Sequence, residues 1–342
     1  MPLTIKDIAR KAGVSHATVS RALNGNPAIP ECTAAAIRDL ANELGYLPSA
    51  AARGLKTRRS KVIGVIVSRI DNPYFGEIVQ GIEDVLQPAG YSLFFSSSHL
   101  NSESEKDIIQ AFAEHRVEGV IICSVTVSRQ QAERLKGYGM PIVVINNQSP
   151  EEYQCSIAHD DVFGSSQITR YLLSLGHTRI AYLGNENAQR INDDRLKGFR
   201  EEMKRSGTPV DESLIIACGG GEIQNGVAGM QQLLSMGLPD AVFCFNDLMA
   251  IGGLKVLADR GIQVPAQISV AGFDNIQYSA FTNPPLTTFD QPKRAIGSEA
   301  AHTLLARVDK PDSQPSPLIS LMMRGEILIR ASTAPRTTQE VQ

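Results

Sequence analysis

Thr4-Ile5-Lys6-Asp7-Ile8-Ala9-Arg10-Lys11-Ala12-Gly13-Val14-Ser15-His16-Ala17-Thr18-Val19-Ser20-Arg21-Ala22-Leu23-Asn24-Gly25 reads as a helix, a tight turn and a second helix. Thr4 suits a helix N-cap, and Asp7 three residues on suits the positive end of the helix dipole. Ile5, Ile8, Ala9 and Ala12 recur at helical spacing, and Gly13 gives the backbone freedom of a sharp turn. Ser15 caps the second helix, Val19 and Leu23 face inward with Ala22, and His16, Ala17, Ser20 and Arg21 face out. A helix pair of this kind enters a DNA groove. Capping hydroxyls hold phosphates there, and the first turn of the second helix reads base edges. Ser15, Thr18, Ser20 and Asn24 suit phosphate; His16, Ala17 and Arg21 suit bases, Arg preferring guanine and Ala a thymine methyl.

The same residues could make an ordinary two-helix corner with a solvated polar face, and two features speak against that. Residues 33–46 read as a third helix, with Ile37, Leu40, Ala41 and Leu44 on its core face. Residues 1–61 hold ten Lys or Arg against four Asp or Glu, whereas the rest holds 23 against 32, which together give the net −3 of the chain. A basic head on an acidic body is an electrostatic footprint for DNA. Between them, Pro48 ends the third helix and Ser49 can cap a short Ala-rich one, well below the ~12–15 residues that stand alone in water. Leu55 within this basic stretch is either an incidental linker residue or a wedge into the minor groove.

The segment resembles the lactose/galactose repressor (LacI/GalR) family of bacterial transcription regulators almost residue for residue. The likeness continues through Asn72-Pro73-Tyr74-Phe75, Gly176-His177, Arg195-Leu196-Lys197-Gly198-Phe199, Phe245-Asn246-Asp247 and Gly272-Phe273-Asp274, and ends at Gly325-Glu326-Ile327-Leu328-Ile329-Arg330-Ala331-Ser332-Thr333. The resemblance implies a homodimer on near-palindromic operator DNA, Leu55 of each subunit inserting at the central step, and a hinge helix that folds on DNA. The expected DNA contacts are Thr4, Ile5, Ser15, His16, Ala17, Thr18, Ser20, Arg21 and Asn24, with Ser49, Ala52, Arg53, Leu55 and Lys56 of the hinge.

With 342 residues, more than one domain is expected. Apolar runs at 62–67, 92–96, 119–123, 142–145, 180–183, 241–245 and 269–272 read as parallel strands buried on both faces. Helical patterns at 75–89, 103–115, 130–138, 163–175, 194–206, 222–236 and 247–260 lie between them, and the alternation restarts near 160. The fold class is therefore α/β, two similar lobes behind an all-α head. The resemblance sharpens this to a two-lobed, periplasmic-binding-protein-like (type I) sensor with three crossovers and a ligand cleft. The expected divisions are 1–48 (helix-turn-helix), 49–61 (hinge) and 62–333 (sensor and dimerisation), with a disordered tail at 334–342. Lobe 1 is expected at 62–159 and 293–320, lobe 2 at 160–290 and 321–333.

Ligands of open parallel sheets sit outside the carboxyl ends of strands. The residues following strands, and so the effector candidates, are Ser68, Asn72, Tyr74, Phe75, Asn146, Asp160, Arg190, Arg195, Asn246 and Asp274; Asp71, Asn147, Asp161, Asp247 and Asn275 lie in the same segments. Amides, carboxylates and arginines hydrogen-bond polyols, and Tyr74 or Phe75 can stack on a ring. Asp160, Asp161 and Asp247 serve equally well as helix caps, Asn72 as a turn residue, and Tyr74 and Phe75 as inter-lobe packing. By the resemblance Arg195 and Asp274 contact sugar hydroxyls or a nucleobase, and Arg195→Ala is expected to remove the effector response while the sensor stays folded. The chain has no Trp, which removes one sugar-stacking surface. His159 reads as a surface histidine and Gly219-Gly220-Gly221 as a loose loop.

Other classes fare worse. The nearest approach to a G-x-S-x-G hydrolase elbow is Gly13-Val14-Ser15-His16-Ala17 in the head, without its last Gly, and no G-x-G-x-x-G follows a strand. No enzyme activity, cofactor or metal is expected; Cys32, Cys123, Cys155, Cys218 and Cys244 show no ligand spacing and read as reduced thiols. No apolar signal core or 18-residue apolar run is seen, so the expected place is the cytoplasm, not the periplasm or a membrane. The expected function is an effector-controlled repressor, the effector a sugar or sugar derivative; a nucleobase or nucleoside is the alternative.

Overall fold

The computed structural model describes residues 3–46, 59–99, 101–123, 133–135, 137–146, 155–309 and 318–336. The chain divides into two compact units, Met1–Lys61 and Val62–Gln342.

The first unit holds α1 (Ile5–Ala12), α2 (His16–Leu23) and α3 (Glu31–Glu43). Gly13 has φ 65 and its N–H reaches Ala9 O, so the α1–α2 turn uses the left-handed region where a side chain is strained. Ile8, Ala9, Val19, Ala22, Ala34, Ile37 and Ala41 form its core, and Leu23, Leu40, Leu44 and Tyr46 pack on it. The third helix starts two residues earlier than its periodicity indicates, directly after Pro30 at the N-cap position. It ends at Glu43, and the chain turns back through Gly45 (φ 67), with Tyr46 N–H on Ala41 O at 2.8 Å.

The second unit is two α/β lobes. Lobe 1 carries β1 (Val62–Val67), α4 (Pro73–Leu86), β2 (Ser92–Ser97), α5 (Ser102–Glu114), β3 (Gly119–Cys123), β4 (Ile142–Ile145) and β5 (Cys155–His159). Lobe 2 follows with α6 (Asp161–Ser174), β6 (Ile180–Asn185), α7 (Gln189–Arg205), β7 (Ile215–Cys218), α8 (Ile223–Ser235), β8 (Ala241–Cys244), α9 (Asp247–Asp259), β9 (Ser269–Ala271) and β10 (Thr288–Asp290). The chain then returns to lobe 1 for α10 (Lys293–Val308) and β11 (Ile319–Met323), and ends in lobe 2 with β12 (Glu326–Leu328). The lobe 1 sheet runs β11-β5-β4-β3-β1-β2 and the lobe 2 sheet β7-β6-β8-β9, every pairing parallel, with β10 and β12 an antiparallel pair. Three crossovers therefore join the lobes, after β5, after β10 and after β11.

Several expectations need correction. β11 pairs with β5, so lobe 1 extends to Met323 and not to 320. β2 is not buried on both faces: it is the sheet edge, and Phe94 and Phe95 are exposed there. The tail is held at its start, with Arg336 N–H on Leu175 O at 2.8 Å and Ala334 O bonded to His177 Nε2 at 3.0 Å; residues 337–342 lie outside the described residues. α10 escaped notice because its buried face is built from small residues: Gly297, Ala300 and Ala301 are buried with Ile296 and Leu304. Those small residues let α10 cross α4 closely, since a Cβ at Gly297 would lie 2.0 Å from Ile78 O and one at Gly81 2.0 Å from Arg294 O. No helix among the described residues is long and apolar enough to cross a membrane.

Candidate functional site

The head presents one polar surface. Thr4 donates through its N–H (3.0 Å) and hydroxyl (2.6 Å) to Asp7 Oδ2, which fixes the start of α1 and holds the Asp7 carboxyl below its ordinary range. Ser15 Oγ accepts the Thr18 N–H at 3.1 Å and caps α2, and the Asn24 amide closes its far end on Ser20 O at 2.6 Å. Ser15, His16, Ala17, Arg21 and Asn24 are exposed, Thr18 and Ser20 half-buried. Ile5 packs partly against the head core, so it is first a packing residue. Ser49, Ala52, Arg53, Leu55 and Lys56 lie outside the described residues.

The sensor unit contains a cavity of about 330 Å³ between its lobes, lined where the strands of both sheets end. Ser68 follows β1, Asn146 follows β4, Asn246 follows β8, Asp274 follows β9 and Gln291 follows β10. Of the ten candidates, Ser68, Asn72, Tyr74, Phe75, Asn146, Arg195, Asn246 and Asp274 line it. Asp160 and Arg190 are not among the lining residues. Asp160 caps α6 through the Phe163 N–H (2.9 Å) and pairs with Arg324 at 3.0 Å, while Arg190 lies half-exposed on α7, its Nε 3.8 Å from Asp194. Asn147 lies outside the described residues.

A continuous chain of hydrogen bonds crosses the floor. Asn146 Nδ2 donates to Tyr74 Oη (2.8 Å), Tyr74 donates to Gln291 Oε1 (3.0 Å), and Gln291 Nε2 donates to Asp274 Oδ1 (2.6 Å). The same oxygen accepts Arg195 Nη2 at 3.3 Å, and Arg195 Nε reaches Asp161 Oδ1 at 2.8 Å. The chain starts on lobe 1, passes through the second crossover and ends on lobe 2. Arg195 also donates to Phe245 O, and its guanidinium lies 4.4 Å from the Phe245 ring centre and 3.9 Å from that of Phe273. Burial opposes ionisation of Asp161, but His159 and Arg195 outweigh it and hold the carboxyl below its ordinary value. At Asp274 burial wins, and its carboxyl is raised despite Arg195 and Lys293. Burial raises the Tyr74 phenol as well, so it stays protonated as a donor.

Beneath the floor, Lys293 is fully buried and its ammonium donates to Asp274 O (2.6 Å), Asn275 O (3.2 Å) and Asp290 Oδ1 (3.2 Å). Asp274 and Asn275 have φ 102 and 48, and Lys293 grips the carbonyls of this strained pair. Asp247 is also fully buried; it accepts Thr288 Oγ1 (2.6 Å) and Ile276 N–H (2.9 Å), and burial lifts its carboxyl to about 8. His159 is 1% exposed and packs edge-on against Phe273 and Phe289, so it is a core and not a surface residue.

Helix capping and cavity lining coincide in Asn72, Asn185, Glu222 and Asn246. Asn72 Oδ1 accepts the Tyr74 N–H at 3.0 Å, and Asn246 Oδ1 accepts Met249 N–H (2.9 Å) while its amide donates to Gly221 O (2.9 Å). The residues missed from sequence are chiefly in lobe 2: Asn185, Asn187 and Asn225, the Gly219–Gly221 run, and Glu222 facing Arg69 of lobe 1. The glycines are not a loose loop, because a Cβ at Gly221 would lie 2.7 Å from the Asn185 amide and one at Gly220 2.7 Å from that of Asn225. The strand-end rule would have found this group had β7, whose four residues end just before the glycines, been recognised.

Residues 4–49 match the model of the bacterial regulatory proteins of the lacI family, and residues 169–333 that of a periplasmic binding protein-like domain. The chain is 34% identical over 332 residues to the HTH-type transcriptional repressor PurR of Actinobacillus pleuropneumoniae serotype 3, covering 96% of this chain and 98% of that one. Among solved structures, the lac repressor dimer bound to operator and the anti-inducer ONPF is similar at TM-score 0.83 and 27% identity, over 98% of this chain and 100% of that one. The transcriptional regulator CelR in complex with cellobiose is similar at TM-score 0.73 and 28% identity, over 96% of this chain and 99% of that one.

Proposed function

This chain belongs to the lacI family of bacterial regulatory proteins, and on that premise we propose how its two units act as an effector-controlled transcriptional repressor. The head reads operator DNA with the α2 face that carries His16, Ala17 and Arg21, while Ser15, Thr18, Ser20 and Asn24 hold phosphates. The protein acts as a homodimer, as the solved lac repressor does, and a two-fold dimer favours a near-palindromic operator. The sensor is a regulator and not an enzyme: the two buried carboxylates of the cavity are both bonded to Arg195.

The effector is a sugar or sugar derivative, and the protein controls carbohydrate genes. The observation that carries this reading is the lining: six asparagines (Asn72, Asn146, Asn185, Asn187, Asn225 and Asn246) line the cavity. Amides offer donor and acceptor together and suit vicinal hydroxyls. Of the three aromatic rings that line the cavity, Phe245 already lies against the Arg195 guanidinium, which leaves Tyr74 and Phe75 to stack on a ring. The CelR structure with cellobiose supports the sugar reading, while the PurR relatives support the nucleobase alternative. Binding biases lobe closure through the Asn146–Tyr74–Gln291–Asp274 chain, which links both lobes.

Arg21→Ala tests the DNA half. It is expected to lower affinity for a selected operator by about 10–100-fold, the equivalent of ~1–3 kcal/mol for a base contact, with a far smaller loss on random DNA. Fluorescence anisotropy on both duplexes measures the ratio, and an unchanged ratio would remove Arg21 from base reading.

A further inference from the structure

Five charged side chains line the cavity: Arg69 and Arg195 against Asp161, Glu222 and Asp274. Arg195 is not available to an incoming anion, and Arg69, though part-exposed, is paired with two carboxylates. Arg195 is bonded to both Asp161 and Asp274 and enclosed by two rings. Arg69 bonds Asp71 through Nε at 2.9 Å, and the same Nε lies 3.4 Å from Glu222 Oε1 on the opposite lobe. Lys293, behind the floor, is engaged by Asp274 O, Asn275 O and Asp290. Of the helices that begin at the cavity, α6 and α8 each already carry an acidic group where an anion would be drawn, whereas α4, capped by Asn72, carries none in its first turn. Asp161 is the first residue of α6, and Glu222 is the N-cap of α8 directly after the glycine run.

We propose that this cleft selects an effector without net negative charge, a free sugar or polyol and not a sugar phosphate, sugar acid or nucleotide, and that Glu222, paired across the cleft with Arg69, is the specificity-determining residue. The proposal rests on the effector-cleft reading above. A phosphate seated by the glycine run meets the Glu222 carboxylate, and its natural partner Arg69 is already taken. Glu222→Gln keeps the size and hydrogen-bonding reach of the side chain and removes its charge, while Arg69 stays paired with Asp71.

Calorimetry on the full-length protein with three probe pairs tests it: D-glucose and glucose 6-phosphate, D-ribose and ribose 5-phosphate, adenosine and AMP. In the native protein the uncharged member of any binding pair is expected to be tighter by at least about tenfold, from like-charge repulsion. In Glu222→Gln the phosphorylated member gains on the order of tenfold relative to its uncharged partner. A phosphorylated member that binds the native protein as tightly as its partner, or a ratio unmoved by Glu222→Gln, overturns the proposal. Gly219→Phe separates this from failure of the cleft reading, since a Cβ at Gly219 meets nothing within 4 Å and the ring has cavity space to fill. A phosphate preference that Gly219→Phe abolishes overturns the charge selection alone, whereas binding that survives Gly219→Phe contradicts the cleft itself.

Discussion

Arg195→Ala is expected to destabilise the sensor unit by about 3–5 kcal/mol, because it strands two buried carboxylates without their counter-charge. Asp161 and Asp274 are 5% and 7% exposed, and Arg195 is hydrogen-bonded to both. The substitution also leaves Phe245 O without its donor and opens a void between Phe245 and Phe273. At roughly 2–4 °C per kcal/mol for a unit of this size, thermal denaturation should show a drop near 10 °C. This revises the expectation from sequence, in which the variant loses its effector response but stays folded. The arginine is the keystone of the floor before it is a ligand contact. Adding Asp161→Asn and Asp274→Asn to Arg195→Ala should recover much of the loss, since the remaining groups are then uncharged. A variant that melts within ~2 °C of the native protein would show that the triad does not bear on stability.

The second large effect is a pH dependence set by Asp247. Its folded carboxyl sits near 8 against an ordinary 3.8, chiefly because burial disfavours the charge and Asp274 adds to it. Between these values the folded protein keeps a proton that the unfolded chain has released. Stability therefore falls as pH rises from about 4 to 8, by at most ~1.4 kcal/mol per unit from this group, and the loss is complete above the folded value. Asp247→Asn keeps an acceptor for Thr288 Oγ1 or the Ile276 N–H and cannot ionise, so its stability should fall less steeply. Melting temperatures of both proteins across pH 5–8 measure the difference in slope, and parallel curves would contradict a protonated Asp247 in the fold.

What could be read from sequence follows from which forces act locally. The head was legible because capping hydroxyls, Gly13 and 3.6-residue periodicity are all short-range signals, and they converge on α1 and α2. Long apolar strands such as β1, with Val62–Val67 almost wholly buried, announce themselves in the same way. β5 did not, because Ser156 and His159 interrupt its apolar character although all five residues are buried. β10 and β12 have three residues each, too short for any periodicity, and exist by pairing with one another across more than thirty residues of chain. Missing β10 meant missing Gln291, the link that carries the floor network between lobes. Eight of ten cleft candidates line the cavity because the strand-end rule depends on topology, which the βαβ alternation gives. Asp160 falls one position from the cavity-lining Asp161 and Arg190 five positions from the cavity-lining Arg195, distinctions that need coordinates.

The central claim is that occupancy of the cleft sets affinity for operator DNA. Its most direct test is the affinity of the full-length protein for a selected near-palindromic duplex and for random DNA, with and without the uncharged sugar that raises its melting temperature. The account predicts a change of about 5–150-fold on the operator, the range of a 1–3 kcal/mol coupling, with little change on random DNA. Equal operator affinity with and without a bound sugar, or no preference for any selected duplex, would contradict it.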